Sequence, residues 1–511
     1  MEIYNYKQDA KNQIRHTILS RAVSNLTLER SHACCVSRDY VRSIIDYFLL
    51  MDEDEPVRKQ VMKIQSQYIS AWESLHDSLI SYRRPSDLGV CYLSGPQPQN
   101  DFDELTALGV LPQNIWAFEN DEATYLEAIN VYNVPEFPQP KILKMPVEQF
   151  FKQSPKKFDM VYIDACGAIP SKQHALRCVA TLFQYSRLNS PGIVITNFAK
   201  PDITKNEIMT DYATMITLYF IFKQEPNVEV YESTNELSIK GFEELYNEVI
   251  GAFEKYYGSF ISNVLSDIPS IIIPLQRFGG IAPYSNLFTH SQMIGTISQT
   301  TIEEINNVNN NSVCKWLLTV DLLIKTQTTS VLSMKSKVLC NEILGIDGSW
   351  EQLIKGVKYF TRLKYGGINT TPEITELKNF FNSDQNLYRF LDRPTIALFY
   401  DIVINQLTYP HHSNIDCCES YQYCSKETDM FTDLTVYDEC RYLYEWLPAI
   451  HQIKNAMQND SWQYIFRFSL DGLVKQRLNY NNEFFFQGSV VSRNEIGFQA
   501  KERKLRTHIG G

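Results

Sequence analysis

From Leu88 to about residue 200, short apolar runs alternate with stretches of helical periodicity, and no other feature of this chain constrains its fold as tightly. Parallel strands need a crossover of a dozen or more residues between them, usually a helix, whereas antiparallel neighbours need only a tight turn. Apolar runs divided by helix-length segments therefore predict βαβ units and a parallel sheet. The expected strands are Gly89 to Ser94, Asn114 to Phe118, Lys141 to Lys144, Phe158 to Asp164 and Gly192 to Phe198, with helices in the intervals. The fold class expected is α/β, with the sheet in a domain at residues 85–225.

The flanks read differently. Tyr40, Val41, Ile44, Ile45, Phe48 and Leu49 recur with helical spacing, as do Val61, Ile64, Tyr68, Trp72, Leu75 and Leu79 beyond an acidic turn, so residues 1–84 are expected to be helical. Residues 226–511 are expected to be mainly helical. Their interruptions are the polar run from Asn306 to Ser312 and the Tyr365-Gly366-Gly367 turn, after which Thr371 caps a helix opening at Pro372. A length of 511 residues agrees with roughly three such units. Lys501, Arg503, Lys504 and Arg506 are opposed only by Glu502, and this basic end is expected to be a solvated, frayed tail.

Charge and cysteine content narrow the setting. With 48 Lys and Arg against 59 Asp and Glu the net charge is −11, so binding to nucleic acid through net charge is excluded while a local groove stays open. Eleven cysteines, with the adjacent pairs Cys34-Cys35 and Cys417-Cys418, do not suit a regular disulfide framework and point to a reducing, cytoplasmic location. The first residues lack the pattern of a secretory leader, and no uncharged apolar run reaches the length of roughly eighteen residues that spans a bilayer, so no membrane partner is expected.

In an open parallel sheet a ligand binds beyond the carboxyl ends of the strands, which makes the residues after each strand the informative ones. The first strand leads through Leu93 into Ser94-Gly95-Pro96-Gln97-Pro98, where Gly95 permits a tight turn and close approach to a ligand. The second ends in Glu119-Asn120-Asp121, and an acid there can accept both hydroxyls of a ribose. Glu119 follows Gly95 by 24 residues, the span of a βαβ crossover. The fourth strand ends in Asp164-Ala165-Cys166-Gly167 and the fifth in Asn197-Phe198.

On these residues the segment at about 85–200 resembles the class I S-adenosylmethionine-dependent methyltransferases, whose Rossmann-like sheet has seven mostly parallel strands. The resemblance implies S-adenosylmethionine as cofactor. Leu93, Ser94, Gly95, Glu119, Asn120, Asp164, Ala165 and Cys166 would bind it, and Asp164 and Asn197 would stand at the reacting end, with Asp164 as a base where the acceptor must lose a proton. The match is atypical. Two prolines replace the usual glycines after the first strand and remove backbone donors, and Lys144-Met145-Pro146-Val147 lacks the acid often found after the third strand. The sequence after the fourth strand is not the proline-rich form used on base amino groups. Cys166 is placed for cytosine-C5 chemistry, but the second cysteine that chemistry uses in RNA-directed enzymes is replaced by Asn197.

Other clusters weigh less. His411, His412, Cys417, Cys418, Cys424 and Cys440 have no regular zinc spacing, so a polar loop without metal is expected. Asp433, Asp438, Glu439 and Arg441 are expected to form the polar face of a helix whose other face is Tyr442, Leu443 and Trp446. Ser94 and Ser190 have no local partners for a hydrolase triad, and no P-loop is present. Two functions lead: a methyltransferase of unknown acceptor (nucleic acid, protein or small molecule), or a catalytically silent module of the same fold that serves as a platform for a protein or nucleic acid; a metal-dependent enzyme centred on residues 411–440 is the weakest reading.

Overall fold

The computed structural model describes residues 9–50, 61–130, 138–165, 167–170, 175–224, 228–233, 236–281, 299–308, 311–326, 349–365, 396–425, 427–446 and 503–509, with a few isolated residues elsewhere. Five strands follow the expected alternation: β1 (Val90–Leu93), β2 (Ile115–Glu119), β3 (Ile142–Lys144), β4 (Phe158–Asp164) and β5 (Leu188–Ala199). They lie in the order β3-β2-β1-β4-β5, every neighbouring pair parallel. Leu93 pairs with Phe118 and Ile163 with Thr196, so the carboxyl ends share one edge. The order reverses at β1, the switch point at which open sheets bind ligands.

Side-chain alternation explains why these runs form a sheet buried on both faces. Val90, Tyr92, Ala117, Met160, Tyr162, Ile193 and Ile195 point into one core, while Cys91, Phe118, Val161, Ile163 and Val194 point into the other. The first core is covered by the helix Asp9–Leu26, through Ile14, Ile18, Leu19, Ala22 and Leu26, and by the helix Gln99–Ala107. The second is covered by the helices Ala175–Gln184, Asn206–Gln224 and Phe253–Asp267. The continuous apolar stretch Phe253–Ile281 is long enough to cross a membrane by composition, but 89% of its most apolar window is buried within the protein, as in a core helix.

The sheet does not end where the sequence reading ends it. A strand pair more than 200 residues beyond β5 completes it: β9 (Glu419–Ser425) and β10 (Thr428–Asp438) form a hairpin whose second strand lies antiparallel to β5, with Asn197 opposite Thr432. Between β5 and this hairpin lie a separate two-stranded pair, β6 (Val230–Ser233) and β7 (Glu236–Ile239), and the helical segments. The short strand β8 (His412–Ser413) pairs with β10. The region expected to be mainly helical thus supplies the remaining strands of the sheet, β8 to β11. In particular, Asp433 and Asp438 are not on a helix face: they are fully buried on β10, which the short helix Arg441–Tyr444 follows. Asp433 in the middle of the run hides the strand from a periodicity argument.

The basic end is not a frayed tail either. Strand β11 (Thr507–Ile509) adds parallel to β9, and Arg506 inserts its guanidinium against Asp433 at 3.0 Å. Arg506 also donates to the carbonyls of Tyr421 at 2.9 Å and Gly258 at 3.0 Å. A buried carboxylate needs a paired cation, and that demand draws the terminal segment onto the sheet. The helix expected from Pro372 lies largely outside the described residues.

Candidate functional site

At the carboxyl edge, β1 continues into a loop held by three contacts. Ser94 N donates to Phe118 O at 2.9 Å, Ser94 Oγ to Gly95 O at 3.1 Å, and the buried Tyr92 hydroxyl to Pro98 O at 2.7 Å. Gly95 has φ +56°, which favours glycine, and a Cβ built there would meet no heavy atom within 4 Å. The loop therefore turns sharply beside open space. The register sets Glu119, the residue after Phe118, on one side of Ser94-Gly95, and Asp164 on the other, because Tyr92 pairs with Tyr162.

Glu119 ends β2 half-buried, and its Oε1 accepts the backbone N–H of Asp121 at 2.8 Å. The helix Glu122–Asn130 is capped by Asp121, which accepts Thr124 N at 2.8 Å and Thr124 Oγ1 at 2.9 Å; these bonds hold the Asp121 carboxylate below its ordinary pKa. Capping is thus carried out by Asp121, and no bond from the described residues reaches Glu119 Oε2. Asn120 is exposed.

Asp164 is held from two sides. Asn197 Nδ2 donates to Oδ1 at 2.9 Å, and Lys11 Nζ lies 2.8 Å from Oδ2. Asn197, itself buried, is fixed by Tyr423 OH at 2.9 Å from Nδ2 and by Thr432 Oγ1 donating to Oδ1 at 2.8 Å. The helix Asp9–Leu26 places Lys11 and Arg15 four residues apart on one face, and Arg15 Nε donates to the buried Asp101 Oδ1 at 2.7 Å. Burial raises the pKa of Asp101, with the Asp164 charge adding to the effect and Arg15 opposing it. Burial also raises the Tyr162 phenol, which stays protonated beside these carboxylates.

Lys11, Arg15, Asp101, Thr432 and Tyr423 are functional candidates that the sequence reading did not single out. The signal available for the first two was their i, i+4 spacing on a helix whose other face is apolar. For Tyr423 and Thr432 there was none, because their relation to Asn197 exists only once the distant hairpin joins β5. Ala165 packs at the edge of the core, and Cys166 lies outside the described residues. The loop beyond it is anchored by helices of the long connection. Tyr257 OH accepts Ile169 N at 3.0 Å and donates to Ala199 O at 2.9 Å, and Tyr212 OH donates to Pro170 O at 3.0 Å.

The His and Cys side chains of residues 411–440 do not converge on one point. His411 Nε2 lies 3.2 Å from Glu439, His412 Nε2 lies 2.7 Å from Tyr444 OH, and Cys424 is exposed. Among the described residues Cys35, Asp438 and Cys440 bring ligand atoms within 4.8 Å of one another. Both Asp438 oxygens are already engaged, Oδ1 by Ser190 Oγ and Cys440 N, Oδ2 by Cys35 N and Tyr442 OH. This carboxylate clamps two backbone amides, a structural task that leaves little for an ion.

The strand order defines the class: a Rossmann-like α/β sheet with its switch point at β1. Leaving aside the short β8 and β11, seven strands remain of the nine, and only β10 runs against the rest. No protein-family model and no curated protein sequence matches the chain. Partial likenesses exist among solved structures. An S-adenosylmethionine-dependent methyltransferase from Clostridium acetobutylicum is 12% identical with a TM-score of 0.18, over 34% of this chain and 60% of that one. The chain thus spans less than two thirds of that protein's length. A magnesium protoporphyrin IX methyltransferase from Synechocystis, solved with bound SAM, is 14% identical with a TM-score of 0.18, over 39% and 94%. The class rests on the strand order and register of the chain itself.

Proposed function

We propose that this chain is an S-adenosylmethionine-dependent methyltransferase that binds its cofactor across the ends of β1, β2 and β4. The observation that carries the reading is the open space beside the left-handed Gly95, flanked in register by Glu119 and Asp164 at the switch point. Glu119 Oε2 would accept a ribose hydroxyl, while Ser94, Gly95, Asn120 and Ala165 would line the cofactor. The cofactor supplies an electrophilic methyl group. The chain's part is to align an acceptor near Asp164 and Asn197, with Asp164 taking a proton where one must leave. Helices of the connection between β5 and the hairpin anchor the loop after β4 and would form the acceptor platform. The location proposed is cytoplasmic, on cysteine usage.

The two prolines of the first loop favour a second reading, a silent platform of the same fold, because they remove backbone donors from the place where a cofactor would be cradled. Calorimetric titration with S-adenosylmethionine and S-adenosylhomocysteine separates the two readings. Binding by the wild type, weakened roughly ten- to more than a hundredfold in Glu119→Ala with unchanged melting, supports the enzyme. No heat of binding at millimolar ligand supports the platform.

A further inference from the structure

The amino-terminal edge of the parallel strands, opposite the candidate site, gathers positive charge in a chain whose net charge is −11. The loops entering β3, β1, β4 and β5 carry Lys141, Arg83, Arg84, Lys156, Lys157 and Arg187. The acids beside them are already engaged. Arg84 pairs with Asp87, the buried Asp159 accepts Gly89 N and Asn189 Nδ2 and lies 3.8 Å from Arg83, and Glu439 is held against His411 at 3.2 Å. Among the described residues no carboxylate pairs with the ammonium of Lys141, Lys156 or Lys157. Lys141 Nζ instead sits 3.8 Å over the Trp116 ring, and burial, with the like charge of Lys156 adding to it, lowers its pKa below the ordinary value. The loops are tied to one another: Asn114 Nδ2 donates to Ser86 O at 2.9 Å, Lys141 Nζ to Gln113 O at 3.3 Å, and Phe158 N to Arg187 O at 2.9 Å. The cations therefore stand in a fixed row across five adjacent strands, about 19 Å from β3 to β5. Within that row Tyr82, next to Arg83, is 74% exposed.

We infer that this edge binds single-stranded nucleic acid, with phosphates along the row of cations and a base stacked on Tyr82. Like charges held together repel, and a polyanion relieves that repulsion while releasing its own counterions. The exposed ring selects a single strand, whose bases have free faces, over a duplex whose bases are already stacked. Strand β4 separates this edge from Asp164 by six residue rises, about 20 Å, so the surface stands whether or not the carboxyl edge holds a cofactor.

The test is fluorescence anisotropy of a labelled oligothymidylate, longer than the roughly 4–16 nucleotides that a single-strand-binding domain covers, titrated with the full chain over a series of salt concentrations. Lys141→Gln/Lys156→Gln/Lys157→Gln should melt as the wild type does. It should bind about tenfold or more weakly at low salt, and its plot of log affinity against log salt should be shallower by about 2, since each lost phosphate contact removes about 0.7. The same three positions changed to Arg should keep both affinity and slope. Tyr82→Ala should weaken binding by about fivefold or more with the slope unchanged. Four results each overturn the proposal: no binding by the wild type, wild-type affinity in the triple Gln variant, loss of binding in the triple Arg variant, or unmoved affinity in Tyr82→Ala. Displacement of the probe by polyglutamate or by phosphatidylserine vesicles as readily as by unlabelled oligothymidylate also overturns it, in favour of an acidic protein or a membrane surface.

Discussion

Replacing Arg506 with Met tests whether the terminal segment is part of the folded core. Its guanidinium contacts both oxygens of Asp433, at 3.2 and 3.0 Å, and lies over the Phe431 ring at 5.2 Å. Asp433 has 0% exposure, so without Arg506 its charge is left with the hydroxyls of Ser262 and Ser420 alone. Breaking a buried pair by removing one partner costs about 3–5 kcal/mol, because the remaining charge is neither hydrated nor neutralised. Much of that should return in Arg506→Met/Asp433→Asn, which keeps the side-chain shape and removes the stranded charge. Thermal and urea unfolding of the wild type, both single variants and the double variant measure the coupling, with limited proteolysis reporting release of residues 503–509. Arg506→Met unfolding within about 0.5 kcal/mol of wild type, the span of ordinary surface substitutions, would refute the reasoning and return the basic end to a solvated tail.

Two further outcomes are expected. Arg277 donates to Thr408 O at 2.7 Å, Tyr409 O at 3.1 Å, Gln184 O at 3.1 Å and Ser186 Oγ at 3.0 Å, capping the ends of two helices at once. Arg277→Ala should lower stability by about 2–4 kcal/mol in denaturant melts, and a loss under 0.5 kcal/mol would contradict that capping role. Burial lowers His411 to about 3, with Arg277 and Lys157 acting in the same direction. The unfolded chain then binds a proton between about pH 6.5 and 3 that the folded chain refuses, so this contribution to stability is complete above pH 6.5 and is lost as pH falls toward 3. By pH 5 the loss is about 2 kcal/mol. His411→Gln should flatten the decline of melting temperature between pH 7 and 5, and an equal slope in both proteins would disprove the assignment.

Strands β1 to β5 are legible in the sequence because their causes are local. Apolar runs from Val90 to Leu93 and from Phe158 to Ile163 are buried on both faces, helices divide them, and a glycine stands where the chain must turn at positive φ. The positions of Glu119 and Asp164 at the ends of their strands are legible for the same reason. The tertiary structure decided whatever depends on partners far apart in the chain. Strand β10 carries a buried Asp433, which makes sense only beside Arg506, 73 positions later. Asn197 acquires its role from Thr432 and Tyr423, 235 and 226 positions away. Lys11 meets Asp164 only because its helix covers the sheet face and begins at the carboxyl edge. Hydrophobic periodicity reports which face of an element is buried, whereas a buried charge is tolerated only through a specific counter-charge, and that pairing is a property of the folded chain.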